Sequence, residues 1–402
     1  MRSHLSIIAV VLLASFAPAA APKVPPGMKV LDGRYHTLIY DVTDDEAREV
    51  LQRMEAMVDE YLVRTRDFSG KIRSKMPFMV FRHEADYLAN GGPSGTAGVF
   101  DPNKQVLMAI AGEKLSMDTW HVIQHEGFHQ FAFNVIGGDL PIWVNEGLAE
   151  YFGEAVYTGD GFVSGAIPGF RLERVQDEIK SKKFISLDEM MGMSHRTWNA
   201  EMKIENYDQA WSMVQFLAHG DNGKYQKTFA NYMIQVGRGI QSKRAWDSTF
   251  GSSAGFEQRW TDFWAGLPKN PTLNVYSRAA TQMLASYAGR AAGQKQTFKD
   301  VDELVAAIKD SSIKIGPQDT LPKTLGEECT GLFGGLKKAG ATFTLQTTPA
   351  PSAASRSPGG FVKCTLSDGA TITANFRTRG TRGAMTDVKV AEATKEKSAS
   401  KP

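Results

Sequence analysis

The chain has no surplus of charge of either sign. Its 46 Lys and Arg balance 44 Asp and Glu to a net +2, which gives no electrostatic reason to expect a nucleic-acid partner. Long hydrophobic runs are missing too. The most apolar stretch, Leu5–Phe16, follows a basic start at Arg2 and precedes small residues at Ala17, Ala19 and Ala21. It is too short to span a bilayer, which takes about 20 residues, and fits the apolar region of a secretory signal cleaved near Ala19–Ala21. An uncleaved anchor is the alternative. No cysteine follows the run, so a lipid-anchored N-terminus has no attachment site. Cysteine is scarce everywhere: only Cys329 and Cys364 occur, with no C-x-x-C spacing and no histidine nearby. In an exported protein an isolated pair reads as one disulfide, with two free thiols or weak metal ligands as alternatives. The glycines between 91 and 98 lack the GK(S/T) ending of a phosphate loop and read as a loop beside a cleft. No internal repeat is present.

What is there divides along the chain. "YHTLIYDV" (35–42), "MPFMVFRH" (76–83) and "KQVLMAIA" (104–111) are rich in aromatic and β-branched residues and predict strands. Between the first two, "TDDEAREVLQRMEAMVDEYLV" repeats apolar residues at helical spacing behind an N-cap at Thr43 or Asp44. From Met117 the pattern turns helical. A helix with Asp118 as N-cap candidate runs to Gly137–Gly138, another opens at Pro141, and further helices are expected at 168–181, 205–219, 224–237 and 254–266. The prolines of 268–272 mark a break. Beyond it, "YSRAATQMLASYAGRAAG" and "DVDELVAAIKD" predict helices, while "ATFTLQT", "FVKCTL" and "ATITANFRT" predict strands. Pro349–Gly360 reads as a low-complexity loop and "KEKSASKP" as a solvated tail.

The chemistry concentrates in "HEGFHQ" (125–130). Of eight histidines, three fall between 121 and 129. His125 and His129 are four residues apart, so on a helix their side chains point about 40° apart, one turn along, and can hold one cation. Glu126 can then reach an open coordination position without filling it. Two neutral imidazoles, a carboxylate and an open fourth position suit zinc, whose bound water is acidified enough for a carboxylate to take its proton. The H-E-x-x-H pattern encodes that arrangement. A third ligand must come from another element, and "PIWVNEGLAEYF" offers Glu146 on a helix reached through a tight turn. Glu150 shares its face and can accept the outer ring N–H of a ligand histidine. His121 reads as a structural histidine, because a catalytic zinc keeps one position open. His195 and His219 stand in no motif.

HExxH followed by an NExxx(D/E) helix resembles the gluzincin metallopeptidases, the broad thermolysin and aminopeptidase group. "HEGFHQ…PIWVNEGLAEYF…YDQAWSMVQFL" is similar, within that group, to a set of exported bacterial peptidase-like proteins. The resemblance covers roughly residues 30–268. It implies Glu146 as third zinc ligand, preceded by Asn145, and Glu150 as orienter of a ligand histidine. It also implies a tyrosine or histidine that stabilises the oxyanion, a tyrosine in the aminopeptidase branch. Tyr207, sixty-one residues after Glu146, stands in the matching place, with Tyr151 the competing candidate. Two features depart from the family. Only sixteen residues separate His129 from Glu146, which implies a short connection, and no GxMEN exopeptidase motif precedes the zinc helix. Substrate grip is then expected from an edge strand in "AGVFDPNKQVLMAI".

The expectation is therefore an α+β, thermolysin-like protein. Residues 1–21 form a signal peptide. Residues 22–268 form the peptidase domain, with an α/β lobe at 30–116 on a mixed sheet and a mainly helical lobe at 117–268. A small α+β module follows at 272–390, then a tail at 391–402. The expected activity is zinc-dependent hydrolysis of peptide or protein substrates in the periplasm or outside the cell, with Glu126 as base and one Zn2+ on His125, His129 and Glu146. No stable membrane span is expected after signal cleavage. The alternatives are a non-catalytic envelope binding protein that kept the fold, and a zinc hydrolase of a non-peptide amide or ester.

Overall fold

A computed structural model describes residues 23–137, 140–201, 203–316, 321, 322, 324–348, 359–381 and 384–392. The signal segment, Gly138 at the expected helix end, most of the 349–360 loop and most of the tail lie outside the described residues. The architecture is mixed α+β. The described chain divides into two compact units: one ends at Ala155, resumes at Ile167 and closes at Pro271, and the other holds Val156–Ala166 and the chain from Thr272 on. Among the described residues no helix is long and apolar enough to cross a membrane.

The first unit opens with β1 (Lys29–Asp32), β2 (His36–Tyr40), α1 (Asp44–Thr65), β3 (Met76–Phe81), α2 (Glu84–Ala89), β4 (Gly98–Asp101) and β5 (Val106–Ile110). The strands form one mixed sheet in the order β1-β2-β3-β5-β4. β2, β3 and β5 run parallel, while β1 and β4 close the two edges antiparallel to their neighbours. Alternation sorts the side chains. Ile39, Met79, Phe81, Val99 and Met108 pack with Tyr87 of α2 on one face. Gly98 and Phe100 therefore face the other way.

On that other face lies α3 (Met117–Phe131), which continues as a π-helical turn at Ala132–Ile136. A Cβ at Gly98 would lie 2.5 Å from Val122 Cγ1, so glycine lets β4 settle against α3. α1 begins at Thr43, whose side chain and that of Glu46 cap each other's backbone N–H. Its buried stripe Val50, Met54, Met57 and Tyr61 faces inward, and the Tyr61 hydroxyl donates to the Gln124 carbonyl of α3 at 2.6 Å. The N-cap of α3 is Ser116, not Asp118: Ser116 and Thr119 form a reciprocal box, with Thr where Glu or Gln is usual.

α4 (Ile142–Gly153) starts after Pro141, and α5 (Gly169–Ser181), α6 (Leu187–Gly192), α7 (His195–Glu201), α8 (Ile204–Gly223), α9 (Gln226–Gly237), α10 (Ser242–Thr249) and α11 (Ser253–Gly266) complete the unit. α8 is interrupted near its end, where Gly220, Asp221 and Asn222 leave helical geometry. α4 and α8 approach so closely that a Cβ at Gly147 would lie 2.5 Å from the Ala210 carbonyl oxygen.

The second unit contains the hairpin β6 (Val156–Tyr157) and β7 (Phe162–Val163), then α12 (Leu273–Gly293), α13 (Val301–Lys309) and α14 (Leu325–Lys338). β8 (Thr342–Thr348), β9 (Gly359–Thr365), β10 (Thr371–Thr381) and β11 (Ala384–Glu392) make an antiparallel sheet in the order β11-β10-β9-β8. The expected Cys329–Cys364 disulfide is absent: both are free, buried thiols. Cys329 belongs to the buried stripe of α14 with Leu325, Phe333 and Leu336, while Cys364 packs among Ala280, Leu336, Ala341 and Leu366. An even cysteine count carries no geometry, and a bridge needs the right Cβ separation and direction. Both serve as small apolar fillers, and burial pushes both thiols up, away from the reactive thiolate.

Candidate metal centre

α3 and α4 run antiparallel in a constant register. His121 Nδ1 lies 3.6 Å from Glu154, His125 Nδ1 3.2 Å from Glu150 Oε1, and His129 Nε2 3.5 Å from Glu146 Oε2. Each step of four along α3 is matched by a step of four back along α4, as one-turn spacing requires. Gln124 locks this register by donating from Nε2 to the carbonyls of Phe152, Gly153 and Ala155. The sixteen-residue span is closed partly by the π-helical turn after α3, whose Val135 carbonyl accepts from Gly70 N at 2.8 Å. Such turns recur at functional sites.

Three ligand-type atoms converge at the centre. His125 Nε2 and His129 Nε2 are 3.1 Å apart, and Glu146 Oε2 lies 3.3 Å and 3.5 Å from them. A tetrahedral ion with bonds of about 2.0–2.1 Å spaces its ligands by roughly 3.3 Å, so the triangle has the size of one face of such a site. All three side chains are buried, as is Glu126. Both Glu146 oxygens, His125 Nδ1, His129 Nδ1 and Glu126 Oε1 lack a hydrogen-bond partner. An unsatisfied buried polar atom costs about 1–3 kcal/mol, and one cation among these atoms could satisfy several at once. The donor set, two imidazoles and a carboxylate, suits zinc.

Electrostatics agree. Burial would lower the His125 imidazolium pKa, but Glu146 and Glu150 raise it to about 10. Burial pushes Glu146 up, yet His129 and His125 bring it down to about 2. The cluster therefore draws positive charge to itself, and a cation can supply that charge in place of the imidazole protons. Burial raises the pKa of Glu126.

Glu126 points to the edge strand. Its Oε2 accepts from Phe100 N of β4 at 2.9 Å, leaving Oε1 free. Phe133, in the turn after α3, packs on Phe100 with ring centroids 5.5 Å apart. The Tyr207 hydroxyl on α8 is buried without a hydrogen-bond partner. Burial first, then the charge of Glu146, raises its pKa, and its ring packs edge-on to Trp198 with centroids 5.1 Å apart. Tyr151 instead bonds His219 Nε2 at 2.8 Å and lines a separate cavity of ≈ 200 Å³ with Arg64, Leu148 and Phe229. Asn145 is half-buried in the first turn of α4.

Two neighbours escaped the sequence reading. Arg171 of α5 binds Glu150, Glu154 and Asp208, and Asp208 of α8 also takes Arg174. "GFRLERV" looks like an ordinary amphipathic helix, and only the apolar Leu172 and Val175 flanking Arg171 hint that its face is buried.

Residues 120–236 match a protein family described as a protein of unknown function (DUF1570). The matched segment contains every residue of the centre and its Arg171 and Asp208 support. No curated protein and no solved structure matches the chain.

Proposed function

We propose that the protein is an exported zinc-dependent peptidase of gluzincin type, with a thermolysin-like arrangement of sheet and helices around His125, His129 and Glu146. The convergence of two imidazole nitrogens and one carboxylate oxygen into a tetrahedral face, beside a second carboxylate with one free oxygen, carries the reading. Bound zinc supplies Lewis acidity, which polarises a carbonyl and acidifies water. His125 and His129 would hold the ion through Nε2, and Glu146 through Oε2. Glu126 Oε1 takes the proton of the attacking water and returns it to the leaving amine. The Tyr207 hydroxyl donates to the oxygen on which negative charge develops. An extended peptide lies along β4, the sheet edge that already faces Glu126 through Phe100 N.

Digestion of a proteome-derived peptide library by the mature protein tests this. Cleavage is expected with the wild type, and Glu126→Gln is expected to keep the metal and lose hydrolysis by a factor of about 10² or more. Equal cleavage by Glu126→Gln would sink the mechanism. A zinc-loaded wild type that cleaves no peptide would favour a non-peptide amide or ester, or a binding role.

A further inference from the structure

We infer that Arg171 is a positioning residue for the cation site, acting through Glu150 on ligand His125. The inference rests on the metal-site reading above and adds to it a residue outside both motifs. Glu150 has one oxygen on each side of a relay: Oε1 is 3.2 Å from His125 Nδ1, and Oε2 accepts from Arg171 Nη2. His121 Nε2, 3.3 Å from the same Oε2, is the other cation-capable group facing it. Arg171 is itself buried and held on every edge. Nη1 donates to Glu154 at 3.1 Å and Nε to Asp208 at 3.0 Å, and the guanidinium lies 4.9 Å from the Trp211 ring centroid.

A planar guanidinium fixed at three points fixes the plane of the carboxylate it holds. Glu150 Oε1, 3.2 Å from His125 Nδ1, is thereby held where a small rotation of the imidazole lets it accept the Nδ1–H, which leaves Nε2 as the lone-pair nitrogen facing Glu146 and His129. Asp208 is shared with Arg174, so the clamp joins α5 to α4 and α8. Lysine offers the same charge from a single point and cannot reproduce the fork.

Zinc affinity by chelator competition, with the visible absorption of the cobalt(II)-substituted protein, tests this on wild type, Arg171→Lys and Asp208→Asn. Arg171→Lys is expected to bind zinc about 10- to 100-fold more weakly and to shift the cobalt spectrum, the usual range for a lost ligand-orienting partner. Asp208→Asn, which takes the carboxylate from Arg171 Nε and from both Arg174 contacts but leaves the Glu150 and Glu154 contacts of Arg171 in place, is expected to lose less in the same direction, and it carries the test if the lysine variant does not fold. A merely structural role would lower the melting temperature and leave the cobalt spectrum unmoved. Affinities within twofold of wild type and unchanged spectra in both variants overturn the role of Arg171 alone. A wild type that takes up no cation overturns the metal-site reading and this role with it.

Discussion

His125 and His129 were legible as a pair because one-turn spacing on a helix is a local property. Their partners were less so. Glu150 could be placed because it shares the turn geometry of Glu146, whereas Arg171 and Asp208 reach the site from α5 and α8 across contacts that no local spacing records. The two tyrosines separate for a residue-scale reason: Tyr151 is occupied by His219, Tyr207 is not. That pairing has a pH consequence. Burial, then the Arg64 charge, lowers the His219 pKa from 6.5 to about 4. The unfolded chain protonates it near 6.5, so the stability tied to neutral His219 is complete above that pH. It is lost as pH falls towards 4, by up to about 3 kcal/mol at some 1.4 kcal/mol per unit. Urea unfolding from pH 7 to 4 should show a steeper loss for wild type than for His219→Gln. Parallel curves would contradict the assignment.

At the scale of elements, long periodic segments were readable and short or glycine-broken ones were not. α1, α3, α4, α5, α9, α11, α12, β2, β3 and β5 fall close to their expected ranges, the helices through their length, apolar spacing and end signals and the strands through runs rich in aromatic and β-branched residues. β1, α2, α6, α7 and α10 span only four to eight residues, too few for a period to emerge. α14 was hidden by the glycines of "LGEECTGLFGGLKK", which only burial against neighbours can offset. The antiparallel seating of α3 on α4 is backed by α8, where Gly147 meets the Ala210 carbonyl. Gly147→Ala should push these helices apart and destabilise the first unit by about 1–3 kcal/mol. A denaturation midpoint equal to that of wild type would show that the contact yields freely.

At the scale of the whole molecule, the break at 268–272 lies where the second unit resumes at Thr272, as proline-rich punctuation suggests. The hairpin of β6 and β7 was invisible as part of that unit, since its partners are more than a hundred residues away. Gly159 sits against Leu321, and Asp160 accepts from the Ser286 hydroxyl of α12. Asp160→Ala removes that acceptor and should cost the second unit about 1–3 kcal/mol. Faster amide exchange in α12 is the expected signature, and unchanged protection there would contradict it.

The central claim is that His125, His129 and Glu146 form one cation site. Metal analysis of the purified mature protein after exhaustive dialysis, with Glu146→Ala alongside, tests it most directly. The account predicts one zinc per wild-type chain and far below one in the variant. A folded wild type without zinc that also refuses added zinc would contradict it.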